Sequence, residues 1–446
     1  MLPGFCGNFN FEVILRSSLN PIELPESAAE AVRIIRQLNE AGFTAYLAGG
    51  CVRDALLGKE PKDFDIATNA SPETVREVFG KSRTLAFGAS FGVIGVLPSR
   101  RSRANSQKNA TEVATFRSDG EYTDGRRPDT VDFGDAKHDA MRRDFTINGL
   151  FYDPVADQVI DYVGGQADLA DGLLRTIGNP EDRFGEDRLR MLRAIRFSAS
   201  LGFRIDPATE VAIGQHAKAI AIVSEERVGS EMRRLLVAPK AIHGLRSLVR
   251  THLAASVFPE LLAIDFESLE KRVALARDDD FRYRLAAILS LVDSPQKSLK
   301  ALAKSWRLAN EEVRSLSSSL RYWPPLLEFN DRPWSETQPI MIDRDFEFIL
   351  DLASSIAESQ AGDGQERGRA SICSVRERMS WPAEKLDPPS LLGGDDFKRM
   401  GFPAGPAYSI VLKEIRNAQL DGQILSREEA CQFANQAFQR LSKARD

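Results

Sequence analysis

The segment 47–68, LAGGCVRDALLGKEPKDFDIAT, constrains the fold of this chain more than any other segment. Its pattern predicts the end of an apolar strand, a turn at Gly49 and Gly50, a short helix and a second strand. Glycine has no Cβ, so its backbone can approach a ligand closely. The free N–H groups at the start of a helix bind anions, most often phosphate. The segment therefore predicts a phosphate-binding turn that leads into a helix.

The charged side chains that follow this turn suit phosphate and metal binding. Arg53 lies one turn into the predicted helix, and its planar guanidinium suits phosphate oxygens. Alternate side chains of a strand share a face, so Asp63 and Asp65 should lie together, with Phe64 on the opposite face. Two adjacent carboxylates repel each other, and a divalent cation relieves that repulsion. The combination favours metal-assisted nucleotidyl or phosphoryl transfer, although either motif alone usually marks only a turn or a solvated strand end.

Further charged residues could complete such a site. Glu112 begins the predicted strand TEVATF; it is either an exposed acid at a strand edge or a third carboxylate of a two-metal site. The segment KHDAMRRDFTIN, residues 137–148, predicts a helix that carries Arg142, Arg143 and Asp144. That cluster is either a buried structural ion pair or a contact to a triphosphate or primer.

Composition limits the class of protein. The chain has 446 residues, which suggests roughly two to four domains, and 43% hydrophobic residues, an ordinary value for a globular protein. No run approaches ~18 apolar residues, so we expect no membrane span. The four cysteines lack paired spacing, which fits a cytoplasmic protein without disulfides or a zinc site. The net charge of −5 means that a nucleic-acid partner would require local basic patches.

From residue 161 onwards the pattern is almost entirely helical. The segment EDRLRMLRAIRF, residues 186–197, predicts an arginine-rich helix with Asp187, Arg190 and Arg193 one turn apart on one face. Such a face is usually solvated, but the apolar residues between these positions assign another face to the core. The Gly-rich segment 358–370 predicts a surface loop.

Two basic segments are candidates for RNA contact. The polar loop 99–108 carries several arginines; it is either a disordered hairpin loop or an RNA-facing surface. Further along, a helix is predicted to have a basic stripe opposite Leu299, Leu302 and Trp306. A solvated face is the alternative to a phosphate-backbone contact. The stripe consists of Lys297, Lys300, Lys304 and Arg307.

Seven motifs occur in a fixed order, and together they are far more specific than any one of them. With them, residues from about 30 to about 236 resemble the class II tRNA nucleotidyltransferases, a family that includes CCA-adding enzymes and bacterial poly(A) polymerases. The motifs are GGCVRD (49–54), DFD (63–65), EVATFR (112–117), DGRRP (124–128), RRDFTIN (142–148), VGGQADL (163–169) and EDRLRMLRAIRF (186–197).

The resemblance implies an α+β fold, in which a small mixed β-sheet nucleotidyltransferase head, similar to the polymerase-β palm, precedes an all-helical neck, body and tail. The N-terminal residues and the basic segment 99–108 depart from the family pattern. The expected divisions are a loose N-terminal extension at 1–24, the catalytic head at 25–155, a neck with the base reader at 156–236, and an RNA-binding body and tail at 237–446.

The resemblance also implies transfer of CMP and AMP from CTP and ATP to the 3′ end of tRNA, with two Mg²⁺ ions. A-only addition, poly(A) tailing and a catalytically inactive RNA-binding protein stay open as alternatives; the DGRRP loop argues against a CC-only enzyme. The implied catalytic residues are Asp63, Asp65 and Glu112, of which Asp63 and Asp65 hold the metal; the implied nucleotide-binding residues are Gly49, Gly50, Arg53, Arg142, Arg143, Asp144, Asn148, Asp187, Arg190, Arg193 and Arg196.

Overall fold

A computed structural model describes residues 22–88, 92–98, 110–119 and 131–443. Its internal contacts divide the chain into two compact units. The first comprises residues 1–231 and 238–258, and the second comprises residues 232–237 and 259–446.

Three predicted features lie wholly or mainly outside the described residues. They are the N-terminal extension up to residue 21, the basic segment 99–108 and the DGRRP loop at 124–128. The predictions about these segments therefore stay predictions.

The first unit contains all the strands among the described residues, and most of them belong to a mixed seven-stranded sheet. The strands are β1 Ala45–Ala48, β2 Ile66–Thr68, β3 Thr84–Gly88, β4 Val93–Val96, β5 Thr111–Thr115, β6 Arg117–Asp119, β7 Val131–Phe133, β8 Leu150–Asp153, β9 Gln158–Asp161, β10 Leu173–Leu174 and β11 Arg204–Ile205.

The strand order of the large sheet is β3-β4-β5-β2-β1-β8-β9. Its neighbours are antiparallel except β2 and β5, which run parallel. β7 pairs with β6 in a separate two-stranded sheet and does not join the large one. The large sheet continues through β9, beyond the head boundary predicted at 155, and the short parallel pair β10–β11 lies within the predicted neck.

Helices surround the sheet of the first unit. The helix that begins at Pro72 is capped by Ser71, whose hydroxyl accepts a hydrogen bond from the Thr74 N–H at 3.2 Å. The helices are α1 Ala29–Glu40, α2 Gly50–Leu56, α3 Pro72–Phe79, α4 Ala136–Met141, α5 Gly165–Ala170, α6 Pro180–Glu186, α7 Leu189–Leu201, α8 Pro207–His216, α9 Glu225–Leu236, α10 Ala241–Arg250 and α11 Ala254–Val257.

Two predicted helices are shorter than expected. The helix predicted over 137–148 ends at Met141, because the chain becomes extended at Phe145, which forms a β-bridge with Thr176. The helix predicted over 186–197 is interrupted at Asp187, whose backbone is extended and whose carboxylate accepts a hydrogen bond from the Leu189 N–H at 3.0 Å. Aspartate favours this capping role, so a new helix starts there.

An aromatic cluster under the large sheet supports α4. The rings of Phe116 and Phe151 meet edge to face at 6.0 Å, and Tyr46 lies 6.2 Å from Phe151. Ala136 and Ala140 of α4 pack into the same buried cluster. The residues that follow α4 are therefore placed by buried apolar contacts on the sheet.

The described part of the second unit is helical. Within the described residues, no helix combines the length and the hydropathy that a bilayer crossing requires. The helices are α12 Phe266–Leu275, α13 Phe281–Leu289, α14 Pro295–Ser305, α15 Asn310–Leu327, α16 Trp334–Met341, α17 Phe346–Ser359, α18 Asp363–Met379, α19 Ala383–Leu386, α20 Gly394–Arg399, α21 Ala407–Leu420 and α22 Arg427–Lys443.

The surface loop predicted over 358–370 was wrong, because most of that segment is the start of α18. Gly362 has a φ of 59° and ends the short connection between α17 and α18. A Cβ on Gly368 would lie 3.0 Å from the Cβ of Ala357, so this glycine permits close packing of the two helices. Here glycine serves helix packing, which a pattern of turn-forming residues does not distinguish from a loop.

Candidate active site

The glycine turn forms as predicted, but its two glycines have different roles. Gly49 has a φ of 72° and a ψ of −122°, and Gly50 is the first residue of α2. A Cβ on Gly49 would lie 2.6 Å from Nη1 of Arg143. A Cβ on Gly50 would meet nothing nearer than Nη2 of Arg53, at 3.7 Å. The fold therefore requires glycine at position 49, whereas the protein itself leaves room for a side chain at position 50.

The two aspartates share a face as predicted, although they precede β2, which begins at Ile66; the prediction that they lie within the strand was wrong. Asp63 and Asp65 are exposed, and Phe64 between them is buried. The carbonyl of Asp65 accepts a hydrogen bond from the Ala48 N–H at 2.9 Å. This bond keeps the backbone extended beside β1, so the alternation continues ahead of the strand.

Glu112 lies close to the aspartates. The parallel pairing of β2 and β5 places Ile66 opposite Val113, so the residues just before these two are neighbours. Surrounding protein raises the pKa of Asp65, although its side chain stays partly exposed; Glu112 and Asp63 raise it further, whereas Arg143 lowers it. The three predicted catalytic carboxylates therefore come together at one end of two neighbouring strands.

This donor set is suited to a divalent cation. Carboxylate oxygens are the hard ligands that Mg²⁺ prefers, and a bound cation would remove the repulsion that raises the pKa of Asp65. In the described part of the chain, no three side chains of His, Cys, Asp or Glu form a preassembled metal-holding group.

The predicted arginine cluster lies in the turn after α4, not on a helix. Asp139, 1% exposed, accepts hydrogen bonds from Nε of Arg142 at 2.8 Å and from Nη2 of Arg143 at 3.0 Å. Arg143 also donates from Nη1 to the carbonyl of Asn148 at 3.2 Å, and its guanidinium lies 5.1 Å from the ring centroid of Phe151. These contacts fix the guanidinium of Arg143 beside the glycine turn.

Arg53 is buried and already has protein partners. Its Nε donates to Oδ1 of Asp54 at 2.8 Å, and its Nη1 donates to Oδ1 of Asn148 at 2.6 Å. Its guanidinium also lies 5.3 Å from the ring centroid of Phe197. Arg53 therefore joins α2 to the Asn148 turn, and its predicted contact with the nucleotide stays a prediction.

Asp144 forms a partly buried ion pair with Arg193 of α7. Nε and Nη2 of Arg193 donate to Oδ2 of Asp144 at 2.9 and 2.6 Å, and Nδ2 of Asn148 donates to Oδ1 at 3.0 Å. Burial favours the neutral acid, but the attraction of Arg193 and the amide hydrogen bond outweigh it and lower the pKa of Asp144 to about 2. These contacts favour the structural interpretation of Asp144.

The predicted base-reading residues also contact protein. Nη2 of Arg227 on α9 donates to Oδ2 of Asp187 at 2.7 Å. Arg190 is 8% exposed; its Nη1 binds the carboxylate of Glu186, and its Nη2 donates to the carbonyl of Arg142 at 3.3 Å. The prediction that Asp187, Arg190 and Arg193 form one helical face was wrong, because α7 begins only at Leu189.

The sequence analysis missed Arg227 and Glu231, which lie one turn apart on α9. Glu231 is 3% exposed and accepts a hydrogen bond from Nε of Arg196 at 2.6 Å, while Arg193 lies 3.8 Å away. One signal was available. Glu231 stands three residues after Val228 and four before Leu235, both buried, so it falls on the apolar face of the helix, where an acid requires a basic partner.

The basic stripe of α14 has the predicted amphipathic form. Lys297, Lys300 and Lys304 are exposed, and the leucines opposite them are buried. Arg307 is also exposed but lies beyond the end of α14, with a φ of 49°. The amphipathic arrangement is confirmed, and binding of RNA by the stripe stays a prediction.

Two segments of the chain match known protein families. Residues 45–175 match the family described as "Poly A polymerase head domain", and residues 202–264 match "Probable RNA and SrmB- binding site of polymerase A". A mixed sheet with a glycine turn, three carboxylates and this matched head defines the chain as a template-independent nucleotidyltransferase of the poly(A) polymerase head class.

Relatives define the family more closely. The CCA-adding enzyme of Geobacillus sp. (strain WCH70) is 33% identical over 91% of this chain and 96% of its own length, and that of Geobacillus stearothermophilus is 34% identical over 90% and 94%. The chain therefore belongs to the family of CCA-adding enzymes.

Solved structures agree with this assignment. The crystal structure of the Bacillus stearothermophilus CCA-adding enzyme in complex with CTP has a TM-score of 0.68 and 30% identity, covering 94% of this chain and 100% of that one. The Thermotoga maritima CCA-adding enzyme complexed with tRNA_CCA has a TM-score of 0.61 at 21% identity, covering 94% and 97%. The predicted α+β fold with a nucleotidyltransferase head and helical continuation is confirmed.

Proposed function

We propose that this protein adds CMP and AMP, taken from CTP and ATP, to the 3′ end of tRNA and so builds or repairs the terminal CCA. One observation carries the proposal: Asp65 lies beside Glu112 on the neighbouring strand, near Asp63 and Arg143, in a head built around a glycine turn. The relatives are named CCA-adding enzymes, and this chain aligns with them over nearly their whole length. They supply the substrate class.

Different residues of this site would bind the triphosphate and the metal ion. The room at Gly50 and the N–H groups that begin α2 suit the triphosphate, and Arg143 supplies positive charge beside them. Asp63 and Asp65, with Glu112, would hold Mg²⁺. Bound there, Mg²⁺ supplies charge neutralisation for the triphosphate and a lower pKa for the attacking 3′ hydroxyl. The remaining catalysis comes from positioning of the two substrates.

Base selection is proposed to lie with Asp187 and Arg190. Adenine and cytosine both present an amine donor beside a ring-nitrogen acceptor, which a carboxylate and a guanidinium complement; guanine and uracil present the inverse pattern. Asp187 can accept from the amine while it keeps Arg227, because each carboxylate oxygen accepts more than one hydrogen bond. Arg190 would have to exchange a bond to Glu186 for the ring nitrogen of the base.

The division of the chain follows from the same proposal. The head at 25–155 would perform the chemistry, the neck at 156–236 would select the base, and the body and tail at 237–446 would bind tRNA, after an extension at 1–24. The family and its substrate are consistent with action in the cytoplasm.

Mapping the reaction product tests the function. Purified protein is incubated with tRNAs that lack the last one, two or three nucleotides, with each nucleoside triphosphate and Mg²⁺, and the product ends are sequenced. We expect CCA to be completed and addition then to stop. Addition of A alone indicates the A-only enzyme, and a run of A indicates a poly(A) polymerase; either result contradicts full CCA addition.

Substitution of the aspartates tests the site within the same assay. Asp63→Ala and Asp65→Ala should each abolish addition and leave tRNA binding nearly intact, because both side chains are exposed and support no buried contact. Near wild-type turnover of either variant at saturating Mg²⁺ would show that the metal assignment is wrong.

A further inference from the structure

A cavity of about 580 Å³ in the second unit is lined by aromatic and basic side chains. It lies where α16, the end of α18, α19 and the end of α21 meet. We call four of its lining residues the tryptophan platform: Trp334, Arg378, Trp381 and Lys385.

The guanidinium of Arg378 lies against two neighbouring indole rings, on the same side of both. It lies 4.7 Å from the ring centroid of Trp334 and 4.6 Å from that of Trp381, and the two centroids are 5.7 Å apart. On its inner side the guanidinium lies 5.3 Å from the ring of Phe329, which is 4% exposed and belongs to a buried core cluster. The platform is therefore attached to the core and its geometry is held in place before any ligand binds.

The two cations of the platform have no acidic partner in the described part of the chain. No described carboxylate or carbonyl accepts a hydrogen bond from the side chain of Arg378 or Lys385. Elsewhere in this unit the pattern differs: Arg332, for example, binds both Glu328 and Glu336. Arginine has five N–H donors, so the guanidinium of Arg378 has donors available for an anion.

The acids near the platform are already engaged. The carboxylate of Asp421, which lines the cavity, accepts hydrogen bonds from the backbone N–H of Ser335 at 2.8 Å and from its hydroxyl at 2.7 Å. Asp387 binds Nη2 of Arg416 at 2.6 Å and Nε2 of Gln338 at 2.9 Å. Ser335 is neutral, so Asp421 keeps its charge, and the lining of the cavity carries two cations, Arg378 and Lys385, against one carboxylate.

We propose that the tryptophan platform stacks an unpaired base of the tRNA and binds the adjoining phosphates through Arg378 and Lys385. This inference rests on the proposed function for its RNA. Aromatic rings interleaved with cations are the usual means of binding single-stranded nucleic acid, since every base has a stacking face and every linkage an anion. The half-buried Arg378 and the exposed Lys385 also disfavour a cationic ligand in the same site.

Stacking of a base on Trp381 is stronger than the contact that Lys385 now makes with this ring. The ammonium of Lys385, an exposed side chain, lies 3.7 Å from the ring centroid of Trp381. An exposed cation–π contact shifts an equilibrium by roughly 2- to 5-fold, whereas base stacking on an aromatic side chain shifts it by roughly 5- to 150-fold. A stacked base therefore replaces the ammonium, which then becomes available to a phosphate.

Binding measurements on the full chain test the platform. The probe is a tRNA transcript without its CCA end, and the variants are Trp381→Ala, Trp381→Phe, Arg378→Gln and Lys385→Ala. Lys398→Ala is the matched control, because it removes an exposed lysine that pairs with Asp395 on α20. Trp381→Ala should weaken tRNA binding roughly 10-fold, within the range for one stacked base, and Trp381→Phe should retain most of the affinity.

Salt dependence and fluorescence separate stacking from charge. Arg378→Gln and Lys385→Ala should each lower the log–log salt slope by roughly one unit, whereas Trp381→Ala should leave it unchanged. The tRNA should quench the fluorescence that is lost in Trp381→Phe, and inorganic polyphosphate, which has no bases, should not.

The outcomes distinguish this inference from the proposed function. Wild-type protein that adds no nucleotide to tRNA contradicts the proposed function. Wild-type protein that adds nucleotides, while all four platform variants bind tRNA as Lys398→Ala does, overturns the platform. Quenching by a proline-rich peptide but not by tRNA would also overturn it, since the cavity would then be a protein-binding site.

Discussion

At the scale of single residues, the two glycines of the turn offer a matched pair. Gly50→Ala should fold normally, because the added Cβ meets nothing within 3.7 Å, yet should raise the KM for nucleotides by filling space that the triphosphate needs. Gly49→Ala should lower stability, because it combines a φ of 72° with a Cβ 2.6 Å from Arg143. Thermal unfolding and steady-state kinetics of both variants measure the two effects. Unchanged nucleotide kinetics in Gly50→Ala would remove that residue from the binding site.

Because Asp144 forms a partly buried ion pair with Arg193, we expect the stability of the protein to depend on pH. A pKa of about 2 in the folded state lies below the ordinary aspartate value of 3.8. The stabilisation is therefore complete above about pH 4 and is lost as the pH falls from there towards 2, and its size is about 2 kcal/mol. Asp144→Asn should cost about that much at pH 7 and progressively less below pH 4.

Urea unfolding of wild type and Asp144→Asn between pH 7 and pH 3 measures this effect. Asp171→Asn is the control, because its side chain is exposed and its substitution should change little at any pH. An equal cost of Asp144→Asn at every pH would show that the ion pair does not hold the carboxylate ionised.

At the scale of elements, α9 positions the start of α7. Arg227 binds the carboxylate of Asp187, and Glu231, one turn further, binds Arg196. Loss of a charged hydrogen-bond partner from a buried carboxylate costs ~1–3 kcal/mol, so roughly a 10-fold loss of base discrimination is expected when Arg227 is removed. In the proposed base reader, Arg227 would act through Asp187 as a positioning residue.

Competition among nucleotides measures that discrimination. Arg190→Ala and Arg227→Ala should lower kcat/KM for ATP and CTP far more than for GTP and UTP, and Arg227→Lys should restore part of the difference. If Arg190→Ala keeps the wild-type preference for A and C, base selection lies in other residues. If Arg190→Ala loses the preference for A and C but Arg227→Ala keeps it, Arg227 has a purely structural role.

The basic stripe of α14 is a second element with a separable role. Charge reversal at Lys300 and Lys304 should raise the KM for tRNA and leave the KM for ATP nearly unchanged. The salt slope of tRNA binding should fall by roughly one unit for each phosphate contact that is lost. Lys271→Glu is the control, since Lys271 is an exposed lysine of α12 that pairs with Glu267. A salt slope equal to that of the control would mean that the stripe is only a solvated face.

At the scale of the whole molecule, family membership extends over nearly the full chain, whereas the motifs that suggested it end near residue 197. The helical half carries no motif because many sequences satisfy the same helix packing. Its candidate RNA contacts, the α14 stripe and the tryptophan platform, instead depend on where the fold places cations that are spaced along the sequence.

The sequence by itself determined the local features of the site. A glycine turn, the alternation around Phe64 and the amphipathic form of α14 depend on neighbours within a few residues, and all were predicted correctly. It also determined the family, because seven short motifs in one order leave few alternatives. These features follow from backbone freedom and from the periods of helix and strand, which act along the chain.

Only the tertiary structure decided which partner each charged residue has. Arg53 binds Asn148 across 95 positions, Arg193 binds Asp144 across 49, and Arg227 binds Asp187 across 40. The end of the helix predicted over 137–148 has the same origin, since Phe145 forms a β-bridge with Thr176. The break in the helix predicted over 186–197 is local, because the Asp187 carboxylate accepts a hydrogen bond from the Leu189 N–H. A periodic pattern shows which face of a helix is charged, but the buried counter-charge comes from another element that folding brings close.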